Sequence, residues 1–255
     1  MEKFTIGCDP EIFLQNQQGE FKSVIGLIGA DKWHPRILTK DGHAVLEDNV
    51  AVEFNIPPCN SFADFAREVK RTMEMVKEIL PADLHYNTDS AVSFPDKELA
   101  CNEAWVFGCE PDLNAWLMCE NPKPETGDKN LRSAGGHIHV GSYTAVNKPI
   151  DVIRAMDLFL GVHSTQLDTV TLRRKLYGKA GAFRLKPYGV EYRTLSNFWI
   201  FSDTLMEWAY TGTQRALEFV ESGKHIPNDH QTLIQDCINN NNSQSYNKLQ
   251  QLYAV

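Results

Sequence analysis

Four short segments of this chain alternate ligand-type polar residues with apolar ones at a period of two, and that alternation limits its folding more than any other feature. Successive side chains of a strand point to opposite faces. Each segment therefore reads as a strand with one apolar face and one face bearing acids, imidazoles or cations. In Gly7-Cys8-Asp9-Pro10-Glu11-Ile12-Phe13-Leu14, Asp9 and Glu11 project together if the chain stays extended, and Pro10 predicts a strand edge or a bulge. In the stretch from Glu47 to Pro58, Val50, Val52 and Phe54 share one face, and Asn49, Ala51, Glu53 and Asn55 the other. A glutamate in so apolar a strand is costly if buried alone, so Glu53 faces water, pairs with a base or holds a metal.

The third segment runs from Ser133 to Gly141 and sets His137 and His139 on one face, Ile138 and Val140 on the other. Two imidazoles so placed bind a metal or donate to phosphate oxygens, and the preceding Gly135 and Gly136 let a ligand approach the backbone. The fourth runs from Arg184 to Leu195. Glu191 and Arg193 share a face, with Arg184 and Lys186 upstream, a mixture that suits a metal-bound polyphosphate. Each segment has a plain alternative: a solvated acidic pair, an exposed glutamate, structural histidines, a surface ion pair. Together they bring carboxylates, imidazoles and guanidinium groups to one sheet face, a donor set suited to Mg²⁺ or Mn²⁺. No Walker A loop, GxGxxG turn or protein-kinase motif set occurs, so ATP would be bound by another solution.

Further strands are predicted at Phe4–Cys8, Ile12–Gln15, Val24–Ile28, Val50–Ile56, Ala91–Phe94, Trp105–Phe107, Gly136–Gly141 and Val190–Leu195. Phe62, Phe65, Ala66, Val69, Met73, Val76 and Leu80 recur at helical spacing, with Ser61 as a cap and Pro81 as a stop. Ile150–Thr169 and Asp203–Glu221 read as two more helices, and the tail from Asp229 as two short ones around the polar run Asn239–Asn242. Strand often follows strand without an intervening helix, which disfavours a doubly wound parallel sheet or a TIM barrel. The pattern predicts an α+β domain with a largely antiparallel sheet backed by helices on one face. Two loops, Asp31–His43 and Glu120–Ala134, read as exposed loops over a site.

The net charge of -8 would repel a phosphate backbone, so nucleic acid is not an expected partner. The six cysteines (Cys8, Cys59, Cys101, Cys109, Cys119 and Cys237) form no CxxC pair and read as reduced, mostly buried thiols. With no apolar stretch of membrane-spanning length, the expectation is a cytoplasmic protein without a membrane partner.

The order of the motifs resembles the glutamine-synthetase-like carboxylate–amine ligases, which include glutamine synthetase and glutamate–cysteine ligase. The strings DNVAVEFNIPP, RSAGGHIHVG and YGKAGAFRLKPYGVEYRTLSNFW are similar to the phage-encoded branch, the type-2 COOH-NH2 ligases, and the resemblance runs from Gly7 to Trp199. It implies one amidoligase catalytic domain over residues 1–255, with 203–255 a helical C-terminal segment. It implies a curved sheet forming an open funnel, with ATP at one end and carboxylate and amine substrates (small molecules or peptides) at the other. Glu11, Glu53, Glu191 and Asp9 would ligate Mg²⁺ or Mn²⁺, and His137 and His139 would contact metal or phosphate. Arg193 and Arg184 would meet the transferring phosphoryl group, with Glu53 also catalytic. Relatives often carry Glu-x-Glu where this chain has Asp9-Pro10-Glu11. Lys32, Lys129 and Arg132 are candidates for phosphate or substrate contacts, and the Glu120–Ala134 loop for a lid. The implied reaction is ATP-dependent amide formation through an acyl phosphate, in the host cytoplasm if phage-encoded. The competing readings are a zinc hydrolase built on His137, His139 and a glutamate, and a ligase-like fold kept as a binding protein.

Overall fold

Pro10 does not interrupt the first strand. In the computed structural model, which describes residues 3–105, 112–121, 127–168 and 170–253, strand β1 runs from Thr5 to Asn16 straight through it. Odd residues of β1 donate toward one neighbour, as Glu11 does to the Gly135 carbonyl; even residues donate toward the other, as Ile6 does to Cys59. The N–H that proline lacks would point to the second side, where the paired register covers only Glu11 and Ile12. The predicted bulge is therefore unnecessary, and Asp9 and Glu11 keep one face.

Twelve more strands follow among the described residues: β2 (Phe21–Lys22), β3 (Arg36–Ile37), β4 (Ala44–Asp48), β5 (Ala51–Asn55), β6 (Leu84–Asn87), β7 (Ala91–Ser93), β8 (Leu113–Asn114), β9 (Cys119–Glu120), β10 (Leu131–Ser133), β11 (Gly136–Gly141), β12 (Ala182–Lys186) and β13 (Gly189–Tyr192). Eleven form one open sheet in the order β3-β4-β5-β1-β11-β13-β12-β8-β9, with β2 and β6 on the far end of β1; β10 and β7 make a separate pair. Every strand pairing among the described residues is antiparallel, so the fold is α+β with a large antiparallel sheet.

Even-numbered residues of β1 and β5, such as Ile6, Ile12, Leu14, Val52 and Phe54, join Ile138, Val140, Val190 and Tyr192 in the main core. Helices cover that face. α1 (Phe62–Ile79) is capped by Ser61, whose hydroxyl accepts from Asp64 N–H, as its spacing predicts. The predicted Ile150–Thr169 helix is instead α3 (Pro149–Met156), a π-helical turn over Asp157–Gly161, and α4 (Val162–Leu167); Thr169 lies outside the described residues. α2 (Tyr143–Asn147) precedes it and α5 (Arg173–Leu176) follows. α6 (Asp203–Glu221), α7 (Asn228–Asn240) and α8 (Ser243–Tyr253) supply the helical C-terminal segment.

Three strand expectations fail locally. Val24–Ile28 is a turn, because Gly26 and Gly29 take positive φ and the N–H groups of Gly26, Ile28 and Gly29 turn inward onto the Glu47 carboxylate at 2.8–2.9 Å. Trp105 closes a 3₁₀ turn begun at Glu103; Val106, Phe107 and Cys109 lie outside the described residues. Val190–Leu195 ends as a strand at Tyr192, and Leu195 instead accepts the Gly136 N–H. The five cysteines among the described residues are free thiols, and no helix there is long and apolar enough to cross a membrane.

Gly136 sits where backbones touch. A Cβ built on it would lie 2.3 Å from the Ser196 carbonyl oxygen and 2.7 Å from Trp199 Nε1. Overpacking of this kind costs about 1–3 kcal/mol, so Gly136→Ala should lower the urea midpoint without changing the slope. A wild-type midpoint would mean that the Ser196–Trp199 segment is not fixed against β11.

Candidate active site

Sheet register decides which polar side chains meet. Asp9 lies opposite His137, and Glu11 opposite Glu53. Glu191 lies opposite His139 on one side and Arg184 on the other. Opposed residues of an antiparallel pair share a face, so one row runs across five strands on the side away from α1, α2 and α3. Within it, Asp9, His139 and Glu191 each offer a ligand atom, all within 4.8 Å of one another, and Glu11, Asp48 and Glu53 form a second such group. The two groups adjoin because Asp9 and Glu11 are alternate residues of β1.

Asp48 is a site residue that the sequence reading left out. By strand parity with Val50 it would belong to the apolar face. The chain instead reverses between β4 and β5 at Asn49, which takes a left-handed φ of 55°. The turn places Asp48 opposite Ala51 and on the Glu53 face. Asn-Val lacks the glycine that normally betrays a two-residue hairpin, so only the weak tolerance of asparagine for φ > 0 hinted at it.

The carboxylates Glu11, Asp48 and Glu53 crowd one another. Burial, then the negative charges of Asp9, Asp48 and Glu11, push the Glu53 carboxyl well above its ordinary range. Burial and Glu11 push Asp48 up to about 7, with Lys32 and Arg193 opposing. The other group is already compensated. Burial and Asp9 raise Glu191, but Arg193, His137 and His139 outweigh them and hold it down to about 2. Burial likewise works against an ionised Asp9, yet the two histidines keep its carboxyl well below the usual range. His139 is raised because Asp9 outweighs burial.

Cations line the compensated side. Lys186 Nζ stands 2.7 Å from Glu191 Oε2, Arg193 is in short contact with Glu191, and Arg184 Nη1 lies 3.8 Å away. Asp112, a second residue absent from the sequence reading, holds Arg193 Nε at 2.7 Å and Arg184 Nε at 3.6 Å. Behind the sheet, Asp157 on the π-helical turn fixes both neighbours of Arg193: its Oδ1 accepts from Tyr192 at 2.8 Å and Thr194 at 3.1 Å. Arg173, buried, donates to the Thr194 carbonyl at 3.0 Å.

The remaining predicted residues fall as follows. His137 Nδ1 lies 3.3 Å from Asp9 and 3.1 Å from Arg193 Nη1, between the acids and the cations. His139 Nδ1 bonds the Tyr188 hydroxyl, leaving Nε2 3.1 Å from Asp9 Oδ2. Lys32 is exposed, and its charge reaches Asp48; Lys129 is exposed as well. Arg132 is buried and donates to Asn49 and to main-chain carbonyls. Of the Glu120–Ala134 loop, residues 122–126 lie outside the described residues and Leu131–Ser133 is paired with β7. The space beside Gly135 and Gly136 is taken by protein, the His137 ring and the Ser196–Trp199 segment, and Gly135 N–H donates to Glu11 Oε2 at 2.6 Å.

Fold and site together define an α+β protein with two adjoining acidic ligand groups on one face of an open antiparallel sheet. A profile of the family described as Phage phiEco32-like COOH.NH2 ligase-type 2 matches residues 128–220, which supports the family resemblance seen in the motifs. The matched span holds His137, His139, Arg184, Glu191 and Arg193, whereas Asp9, Glu11, Asp48 and Glu53 precede it. No curated protein matches the chain.

The crowded carboxylates have a pH signature. With Asp48 near 7 and Glu53 raised, the folded metal-free chain keeps protons that unfolded carboxyls lose at about pH 4. Its stability therefore falls as pH rises from about 4 to about 7. A divalent ion held by Glu11, Asp48 and Glu53 would offset that loss, so the Tm increment from Mg²⁺ over EDTA should then grow across this window, and Asp48→Asn should flatten it. An increment independent of pH would place Mg²⁺ elsewhere.

Proposed function

We propose that the chain is an ATP-dependent carboxylate–amine ligase that forms an amide through an acyl phosphate, on a glutamine-synthetase-like funnel holding Mg²⁺ or Mn²⁺. The observation that carries this reading is the adjacency of two acidic ligand groups joined through β1, with Arg184, Lys186 and Arg193 beside one of them. The matched family's name supports the reaction class.

The donors fit the ions. The two groups contain five carboxylates, one imidazole and no thiolate, a hard set that suits Mg²⁺ or Mn²⁺. Asp48 and Glu53, raised by burial and neighbouring negative charge, also gain from a cation. Asp9, His139 and Glu191 would hold one ion; Glu11, Asp48 and Glu53 the other. Bound there, the ions supply neutralisation of triphosphate charge and polarisation of the transferred group.

The protein's own groups account for the rest. A carboxylate is a poor electrophile because oxide would have to leave. Transfer of the γ-phosphoryl group from ATP gives ADP and an acyl phosphate; attack by the amine then expels phosphate and loses a proton, leaving the amide. Arg193 and Arg184, paired here with Glu191 and Asp112, are placed to donate to phosphoryl oxygens, and Lys186 adds a compact charge. Because both arginines stand on or beside paired strands, they hold alignment without reorganising. A zinc hydrolase finds less support: the partners of His139 in its ligand group are carboxylates, and His137 faces a guanidinium.

Thermal unfolding with and without ATP, each in Mg²⁺ and EDTA, tests the reading. Saturation at about a hundred times Kd adds roughly 2.7 kcal/mol, a rise of about 5–10 °C for a chain of this size. The rise should need ATP and Mg²⁺ together and vanish in Glu53→Gln. No response to ATP beside a clear one to Zn²⁺ would favour hydrolysis.

A further inference from the structure

The turn that carries Asp48 is clamped from outside the sheet. Asn49 holds a left-handed φ of 55°, a conformation asparagine tolerates better than other non-glycine residues but glycine adopts freely. Its Oδ1 accepts from Arg132 Nε at 3.0 Å, and its Nδ2 donates to the Ala104 carbonyl at 2.9 Å. Arg132 Nη2 donates to that same carbonyl at 2.7 Å, which closes a triangle of side chain, side chain and main chain. Arg132 Nη1 bonds the Lys129 carbonyl at 2.8 Å, and its guanidinium lies over the Trp105 ring at 5.1 Å. At 4% exposure Arg132 is inside the protein. The flanking apolar residues Val50, Ala51, Ala104 and Ala134 belong to one small core, separate from the main one. Three residues after Arg132, the Gly135 N–H donates to Glu11 Oε2 at 2.6 Å. One segment, Arg132 to Gly135, thus touches the Glu11 carboxylate directly and, through Asn49, holds the residue next to Asp48.

We infer that Arg132 is a positioning residue: through Asn49 it fixes the β4–β5 turn, and so the place of Asp48 in the Glu11–Asp48–Glu53 group. The inference rests on reading that group as a divalent-cation site, and it gives Arg132 a role different from the phosphate or substrate contact expected from the sequence. Ion affinity depends on how well the ligands are held before the ion arrives, and loss of an outer partner typically costs about 10–100-fold. A free hairpin would let Asp48 retreat from Glu11 and Glu53, because like charges repel.

Mn²⁺ titration followed by electron paramagnetic resonance tests this without substrates. In the wild type, the binding class at issue is the one abolished by Asp48→Asn. Asn49→Gly keeps the turn, since glycine takes positive φ freely, but deletes the clamp. It should weaken that class by about 10–100-fold, with Tm in EDTA close to wild type. Arg132→Lys, whose three-donor ammonium lacks the planar fork that serves Asn49 and the Ala104, Lys129 and Leu131 carbonyls at once, should do the same, and it decides the matter if Asn49→Gly does not fold. A folded Asn49→Gly with wild-type Mn²⁺ affinity overturns the inference and leaves the cation reading intact. A wild type that binds no Mn²⁺, or whose binding Asp48→Asn leaves unchanged, overturns both.

Discussion

Like charges gathered on a half-buried face repel one another, and the fold around this site is organised to hold them there. Five carboxylates stand in two adjoining groups, and at that depth desolvation adds to their mutual repulsion. No flexible surface would keep such an arrangement. Here an antiparallel ladder enforces it, because Glu11 cannot move away from Glu53 without breaking pairing between β1 and β5, and the apolar side of the same strands is locked into the main core. Burial of Ile12, Val52, Phe54 and their neighbours is the hydrophobic work that holds the acids in place.

The two groups solve the charge problem differently. Around Asp9, His139 and Glu191 the protein brings its own cations: Lys186, Arg193 and Arg184. Around Glu11, Asp48 and Glu53 it leaves protons or an added ion to do so, with Lys32 and Arg193 acting from further off. This asymmetry suits a site that handles an anion and cations together. On the proposed reading, the arginines on one side would change partner when an anionic group arrives, and the acids on the other would gain from a metal. The cations are held as carefully as the acids. Asp157 sits fully buried on a π-helical turn and bonds the residues on either side of Arg193, and Trp116 donates to its other oxygen at 2.6 Å. Such turns within helices often serve functional geometry; this one carries an acceptor to the back of the site.

Much of this was legible in the residues. Period-two alternation identified the strands bearing Asp9, Glu11, Glu53, His137, His139 and Glu191, and it assigned the polar side chains of each to one face, as β1, β5, β11 and β13 display. The apolar stripe with Ser61 and Pro81 at its ends identified α1, and the stretch from Asp203 to Glu221 became α6 without change. These features are local: parity, caps and spacing act over a few residues, so they survive in any tertiary context.

What the sequence by itself determined, then, is which side chains share a face within a strand; which strands are neighbours only the tertiary structure decided. Asp48 joins Glu53 because the chain reverses at Asn49, held by Arg132, a residue 83 positions away. Asp112 meets Arg193, and Asp157 reaches Tyr192 and Thr194, through packing that no spacing announces. Val24–Ile28, apolar enough for a strand, becomes a turn because Glu47 across the fold captures its N–H groups. The physical reason is the same in each case. Propensity and periodicity act along the chain, whereas charge pairing, buried hydrogen bonds and strand register act across it, and their free energies exceed the local preferences they override.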